Sequence, residues 1–294
     1  MKVFVTGATG FIGSAIVPEL INAGHQVLGL ARSDAGANLL AAAGAQVLRG
    51  DLQDLDGLRN GAANTDGVIH CAFIHDWSKF QENCEIDRRA IETLGAVLEG
   101  SDRPLLVTSG LALLAKNRLA TEDDPPVPTS ASYPRASETT AASLMARGVN
   151  VSVVRLPQVH DTVKQGLITY AIEVARQKGV SAYVGDGSGR WAAAHVLDTA
   201  RLYRLALEKR ESGARYHAVA EEGVLLRDIA ESIGRGLKVP VVAMSPEEAA
   251  AHFGWLGRFA GLNLMASSAL TQERLGWHPT GPGLIADLEQ MRYS

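Results

Sequence analysis

The chain has 294 residues, with 28 Lys and Arg against 32 Asp and Glu and a formal net charge of −4. Hydrophobic residues make up 46% and charged residues 20%, enough for one large packed α/β unit or such a unit with a smaller lobe, and too little charge for a disordered chain. The slightly acidic balance excludes a general nucleic-acid binder, which carries a basic excess. Cys71 and Cys84, the two cysteines, form no Cys-x-x-Cys pair, and the eight histidines hold no His-x-His or His-Glu-x-x-His arrangement, so neither a disulfide framework nor a metal site is expected. No apolar stretch reaches the roughly 18 residues of a membrane helix, and the N-terminus lacks a basic n-region and a cleavage site. A cytoplasmic protein without a membrane partner is expected.

In chain order, strands are predicted at Lys2–Thr6, Gln26–Leu30, Gln46–Arg49, Gly67–Cys71, Pro104–Thr108 and Asn150–Leu156. They are almost wholly apolar inside, as strands buried on both faces are. Between them helices are predicted near Phe11–Ala23, Ala35–Ala43, Leu55–Gly61, Lys79–Glu99 and Pro134–Arg147. This alternation predicts an α/β fold with a doubly wound parallel sheet, right-handed crossovers and helices on both faces. The Pro- and Ser-rich Glu122–Pro134 reads as a loop ending where Pro134 can open a helix. From Thr162 the pattern changes, with a helix near Leu167–Gln177, a Gly-rich turn at Gly185–Trp191 and the stretch Ala192–Glu208. A strand at Tyr216–Val219, a helix at Leu226–Leu237, a strand at Val239–Met244 and a helix from Ser245-Pro246 follow. The expected division is a sheet domain over 1–160 and a smaller mixed lobe over 161–294, packed as one unit.

Thr6-Gly7-Ala8-Thr9-Gly10-Phe11-Ile12-Gly13 follows a five-residue apolar strand and opens a helix. In that context glycines have separate tasks: Gly7 takes the tight turn, Gly10 lets backbone approach a pyrophosphate, and Gly13 lets helix pack closely on strand. The helix start offers free N–H groups and a positive dipole end to the phosphates. Gly7, Thr9, Gly10, Phe11 and Ile12 are therefore candidate dinucleotide contacts.

This motif resembles that of the extended or atypical short-chain dehydrogenase/reductase family, the NAD-dependent epimerase/dehydratase-like branch, and the similarity runs nearly the whole chain. The resemblance implies a Rossmann-type fold. It also implies that Asp51 and Leu52, in Gly50–Leu52, lie against adenine, and that Cys71, Ala72 and Phe73, at and after His70–Ala72, pass the cofactor ribose. Leu156, in Arg155–Val159, would line the nicotinamide, and Leu275–Pro279 resembles the family's closing motif. After the second strand an NAD enzyme usually carries an acid for the ribose hydroxyls. Here Arg32 offers a fork of donors suited to a 2′-phosphate and Ser33 adds a hydroxyl, with Asp34 one or two positions beyond the usual place. NADP(H) is expected over NAD(H).

The family reduces a carbonyl with a Ser or Thr after the fifth strand and a Tyr-x-x-x-Lys pair. Ser109 is the candidate carbonyl anchor, or else a strand-end serine capping its own backbone, and Tyr133 is the candidate acid. The residue four after Tyr133 is Ser137, not lysine, and no register restores the pair. Arg135 is not expected to substitute, because residues two apart on a helix point to different faces; Lys164 or Arg155 would have to arrive by tertiary folding. A tyrosine with a pKa near 10 is protonated at neutral pH, which suits reduction and not alcohol oxidation.

On the substrate side, Trp191, His195 and Asp198 would share a face if their segment is helical, with Trp191 as a wall and His195 as a polar contact; the alternative is a core tryptophan and a histidine bonded to Asp198. His70, His75 and His160 are further cleft candidates, and an aromatic pocket would draw on Phe73, Trp77, Trp191 and Trp255. The expectation is an NADPH-dependent reductase of a small organic carbonyl compound, acting as a monomer or homodimer. The alternatives are a non-catalytic NADP-binding sensor and, after that, a nucleotide-sugar epimerase or dehydratase.

Overall fold

Val3, Phe4 and Val5 are wholly buried. An apolar run with no wet face requires a strand covered on both sides, so the chain's first strand lies at the middle of its sheet. The computed structural model describes residues 1–115 and 118–293. Within it β1 (Lys2–Thr6), α1 (Gly13–Asn22), β2 (Gln26–Ala31), α2 (Asp34–Ala42), β3 (Gln46–Arg49), α3 (Leu55–Ala63), β4 (Gly67–His70), α4 (Phe80–Leu98), β5 (Leu105–Gly110), α5 (Ser137–Ala146) and β6 (Val151–Leu156) follow in order. The six strands fall within two residues of their predicted spans. Next come β7 (Gln158–His160), α6 (Ile168–Lys178), β8 (Ser181–Val184), β9 (Arg190–His195), α7 (Val196–Lys209), β10 (Arg215–His217), β11 (Glu221–Leu225) and α8 (Leu226–Leu237). The chain closes with β12 (Val241–Met244), α9 (Pro246–Phe253), α10 (Gly257–Ala260), α11 (Ala269–Leu275) and α12 (Leu284–Gln290).

The central sheet has seven parallel strands in the order β10-β6-β5-β4-β1-β2-β3. The order reverses between β1 and β4, and ligands of open α/β sheets bind in the crevice beyond that switch point. One face is covered by α1 and α7, through Ile16, Val17, Leu20, Tyr203 and Leu207, and the other by α3, α4 and α5, through Leu58, Ile91, Leu94 and Leu144. A third core (Ile168, Ile172, Trp191, Ile229, Ile233, Phe253, Leu288) belongs to the smaller lobe, where β11-β9-β7 and β12-β8 form two short sheets.

Three expectations change. Residues 190–195 form β9 and not a helix, because Ala192, Ala193 and Ala194 are buried between β7 and β11, and α7 starts only at Val196. Helix α5 begins at Ser137, three residues after Pro134. The division along the chain is interleaved in space, since α7 and β10 return to the central sheet. The closing Trp277 is fully buried in that core, its indole N–H donating to the Asp198 carbonyl at 2.9 Å. Among the described residues no helix is long and apolar enough to cross a membrane.

Candidate active site

The glycine loop leaves β1 and turns at Gly7, whose φ is +69°. A Cβ there would stand 2.7 Å from the Ala72 amide nitrogen, and one at Gly13 would stand 2.0 Å from the Gly7 carbonyl oxygen. The loop is thus pressed against the end of β4 on one side and the start of α1 on the other, contacts only glycine permits. At the start of α1 the Ser14, Ala15 and Ile16 N–H groups are bonded to the Gly10 and Ile12 carbonyls, while those of Phe11, Ile12 and Gly13 have no backbone acceptor among the described residues and are suited to a diphosphate at the switch point. Phe11 lies at the same place, with Lys164 Nζ 6.0 Å from its ring centre. Cys71, Ala72 and Phe73 follow β4 directly, and Leu156 ends β6 beside Gly110 of β5. The structure therefore brings Gly7, Gly10, Phe11, Ile12, Cys71, Ala72, Phe73 and Leu156 to one edge of the sheet.

At the end of β2, Ser33 caps α2 by accepting the Gly36 N–H at 3.1 Å. Gly36 lies against both the Thr9 methyl and the Ser33 hydroxyl, so the glycine loop and the β2 end flank one spot. Asp34, the acid that would oppose a 2′-phosphate, pairs with Arg49 at 3.0 Å. Arg32 is exposed and makes no ion pair or hydrogen bond among the described residues. Asp51 closes the turn after β3, accepting the Gln53 N–H at 2.8 Å, with Leu52 buried beside it.

At the end of β5, Thr108 is already engaged: its hydroxyl donates to the His70 carbonyl and meets the Tyr203 hydroxyl, both at 2.7 Å. Ser109 is buried on the opposite face, in register with Arg155 of β6. Tyr133 is half-buried in a turn where its backbone exchanges hydrogen bonds with Ser130. Burial pushes its phenol above the ordinary value, while the Arg135 charge pulls it down. Cys71 lies beside Thr108 and Tyr203, and burial pushes its thiol up to about 11.

Ser137, where the resemblance puts lysine, is fully buried at the start of α5 and donates to Asp87 Oδ2 at 2.6 Å. The other Asp87 oxygen meets His70 Nε2 at 3.0 Å, and His70 Nδ1 meets the Thr6 hydroxyl at 2.9 Å. His70 is thus a link in a buried chain from β1 to α5, not a group open to the cleft. Arg155 is spent as well: its guanidinium holds Glu138 at 2.7 Å and the Asp124 carbonyl at 2.9 Å. Arg135, set aside on helix geometry, lies before the helix and folds back to the sheet edge. The sequence reading misses the Asp87 chain and Arg135 because it starts α5 too early; the Ser137-Glu138-Thr139-Thr140 run is the available signal for a later start.

Trp191 is a core residue of the smaller lobe, 3% exposed, donating to the Leu262 carbonyl, which is the core-tryptophan alternative. His195 caps α7 through Nδ1 and faces Asp287 at 3.9 Å, while Asp198 accepts the Thr280 and Gly281 N–H groups instead of a histidine. His160 is fully buried on Asp287 at 2.6 Å. Phe73, His75, Trp77 and Phe80 do gather after β4, and Trp77 stacks on Trp255 of the smaller lobe at 4.4 Å. Burial, then the charges of Arg135 and Lys164, hold His75 below its usual pKa. Among the described residues no cluster suited to a metal ion occurs.

The model of the NAD dependent epimerase/dehydratase family matches residues 3–220. An uncharacterized protein of Schizosaccharomyces pombe is 48% identical, covering 100% of both chains. The 4-hydroxy-2-methyl-3-oxo-4-farnesyl-3,4-dihydroquinoline-1-oxide ketoreductase of Stigmatella aurantiaca is 27% identical over 86% of this chain and 80% of that one. The UDP-glucose 4-epimerase of Thermus thermophilus, solved with NAD, superposes with a TM-score of 0.76 at 21% identity over 100% of this chain and 99% of that one. The seven-stranded parallel sheet, the glycine loop at its switch point and the span of the family match agree: the chain belongs to the NAD dependent epimerase/dehydratase family.

Proposed function

We propose that the protein is an NADPH-dependent oxidoreductase that reduces the carbonyl group of a small organic substrate. The observation that carries this reading is the glycine loop pressed against the end of β4 at the switch point of the sheet, beside a β2 end that offers Arg32 and Ser33; Tyr133, whose phenol burial raises, is read as the acid. A neutral phenol at pH 7 is an acid, and an acid serves reduction. Ser109 would hold the carbonyl oxygen and Tyr133 would give it a proton, with the hydride being the chemistry that a nicotinamide would supply when bound. Arg32 and Ser33, with Thr9 alongside, hold the 2′-phosphate by charge-assisted hydrogen bonds, and the nearest acid is occupied by Arg49. The ketoreductase among the relatives supports the reaction class. Substrate is the only partner in this reading, with the protein a monomer or homodimer. A second reading, an NADP-binding sensor without turnover, is favoured by Ser137 in the lysine position.

The test is a fluorescence titration with NADPH and NADH, followed by a carbonyl screen read by NADPH consumption. Arg32→Ala is expected to weaken NADPH about tenfold, roughly 1.4 kcal/mol, and to leave NADH unchanged. Tyr133→Phe is expected to abolish turnover with NADPH binding intact. Equal binding of both cofactors by both proteins overturns the NADP assignment, and turnover unaffected by Tyr133→Phe overturns the role of the phenol.

A further inference from the structure

We propose that the carbonyl compound taken by this site is a 2-oxo acid with a flat aryl tail, its ring held between the Trp77 and Trp255 indoles and its carboxylate held by Arg135. The inference rests on the reductase reading and on Ser109 as the carbonyl anchor, and it names the substrate class. Its aryl half comes from aromatic side chains that no core fully buries. Phe73, Trp77 and Phe80, on the stretch after β4, and Tyr170 and Trp255, from the smaller lobe, are all half-buried. They form one cluster, with ring centres 6.0 Å apart for Phe73 and Phe80, 5.1 Å for Trp77 and Phe80, and 5.1 Å for Tyr170 and Trp255. Half-exposed aromatics gathered where two lobes meet form a wall for an apolar ligand to cover.

Trp77 and Trp255 stack at 4.4 Å with their planes 19° apart. The Trp77 indole N–H is buried and has no acceptor among the described residues. Parting this stack therefore breaks no hydrogen bond of that indole. A flat ring set between two nearly parallel planes makes two stacked contacts in place of the one it displaces, whereas a saturated ring is thicker and lacks the quadrupole that favours this geometry. His75 stands edge-on to both Phe73 and Trp77, at 5.3 and 6.1 Å, and fills the gap between them. The wall is thus continuous from Arg135 over Phe73 at one end to Trp255 at the other.

The acid half comes from Arg135. The carbon of its fork stands 4.6 Å from the Phe73 ring centre, Nε donates to Ser137 Oγ at 3.1 Å, and Nη2 donates to the Thr108 carbonyl at 3.4 Å. The nearby carboxylates are engaged elsewhere: Glu138 holds Arg155, Asp87 holds Ser137 and His70, and Asp76 accepts from Ser78. Arg135 has no carboxylate within ion-pair distance among the described residues. A half-buried guanidinium seated by a ring and two acceptors, with no anion of its own, is a fork prepared for a carboxylate. Thr108 directly precedes Ser109, so the anion site adjoins the carbonyl anchor, as the bonded carbonyl and carboxylate of a 2-oxo acid require. The other unpaired cation here, Lys164, lies over Phe11 at the glycine loop and so on the cofactor side of the cleft.

The test is isothermal titration calorimetry on the full chain saturated with NADP+, using 2-oxo-4-phenylbutanoate, its ethyl ester and the cyclohexyl analogue of the acid. The parent protein is expected to bind the aryl acid at least about tenfold more tightly than either of the other two. Arg135→Gln is expected to erase the preference for acid over ester while keeping that for aryl over cyclohexyl, and Trp255→Ala to do the reverse. A parent protein without either preference overturns the proposal, and this comparison needs no variant to fold. Preferences that survive in both folded variants overturn it too, because the ring and the charge are then held elsewhere. Failure of the reductase reading looks different: the aryl acid would bind with both preferences while NADPH is not consumed. Reduction of other carbonyl compounds with no preference for the aryl acid would leave that reading standing and overturn this one.

Discussion

His217 shows how one buried side chain is fixed by its partners. Its Nδ1 donates to the Ser267 carbonyl at 2.8 Å, so Nε2 faces Arg155 Nη1, 3.3 Å away, as an acceptor. Burial, helped by the guanidinium at which a second proton would point, lowers the pKa from 6.5 to about 4. The unfolded chain therefore binds a proton that the folded chain refuses between those two values, and stability falls as pH drops through that window. The largest loss from this residue is about 3 kcal/mol by pH 4. Urea denaturation between pH 7 and 4 checks it: His217→Gln is expected to flatten the decline, and an unchanged slope would mean other groups cause it. At this scale the sequence shows residues whose job is local. Gly7 and Gly10, at the turn between β1 and α1, are legible from spacing. The sequence leaves Trp191 open between a substrate wall and a core tryptophan, because Ala-Ala-Ala-His is equally compatible with helix and strand until β7 and β11 flank it.

Elements carry the next level of meaning, and the β1–α1 junction is the sharpest case. A methyl at Gly13 meets the Gly7 carbonyl oxygen at 2.0 Å, and that oxygen also accepts the Gly10 N–H at 2.9 Å. Backbone atoms on both sides leave no side chain to move aside. Gly13→Ala is expected to cost about 1–3 kcal/mol, like other overpacked sites, and to weaken dinucleotide binding more than tenfold by displacing the loop. Calorimetry and a binding titration check this, and unaltered binding would detach the loop from the cofactor. Strand positions are readable because continuous apolar runs bounded by glycines have few other uses. The start of α5 is not: Pro134 fits a first helical turn, yet Arg135 and Ser137 answer to Thr108, Phe73 and Asp87, far away in sequence.

For the whole molecule, the important contact joins the two halves across the cleft mouth. Trp77, after β4, stacks on Trp255 of the smaller lobe at 4.4 Å with the planes 19° apart, and Tyr170 meets Trp255 edge-on at 5.1 Å. An aromatic pair contributes about 0.5–1.5 kcal/mol beyond its buried area. Trp255→Ala is expected to speed amide exchange in residues 71–80 and 252–260 up to about tenfold while β1 to β6 stay protected; uniform acceleration would mean the pair supports the entire fold. What the sequence determined unaided was the doubly wound sheet, the glycine loop and the choice of arginine over an acid after β2, because each depends on residues adjacent along the chain. The tertiary structure decided which carboxylate Ser137 meets, which histidines are buried, and how the smaller lobe returns α7 and β10 to the sheet. Those depend on residues tens of positions apart, and the pairing of Asp87 with Ser137, or of Trp77 with Trp255, leaves no periodic trace in either segment.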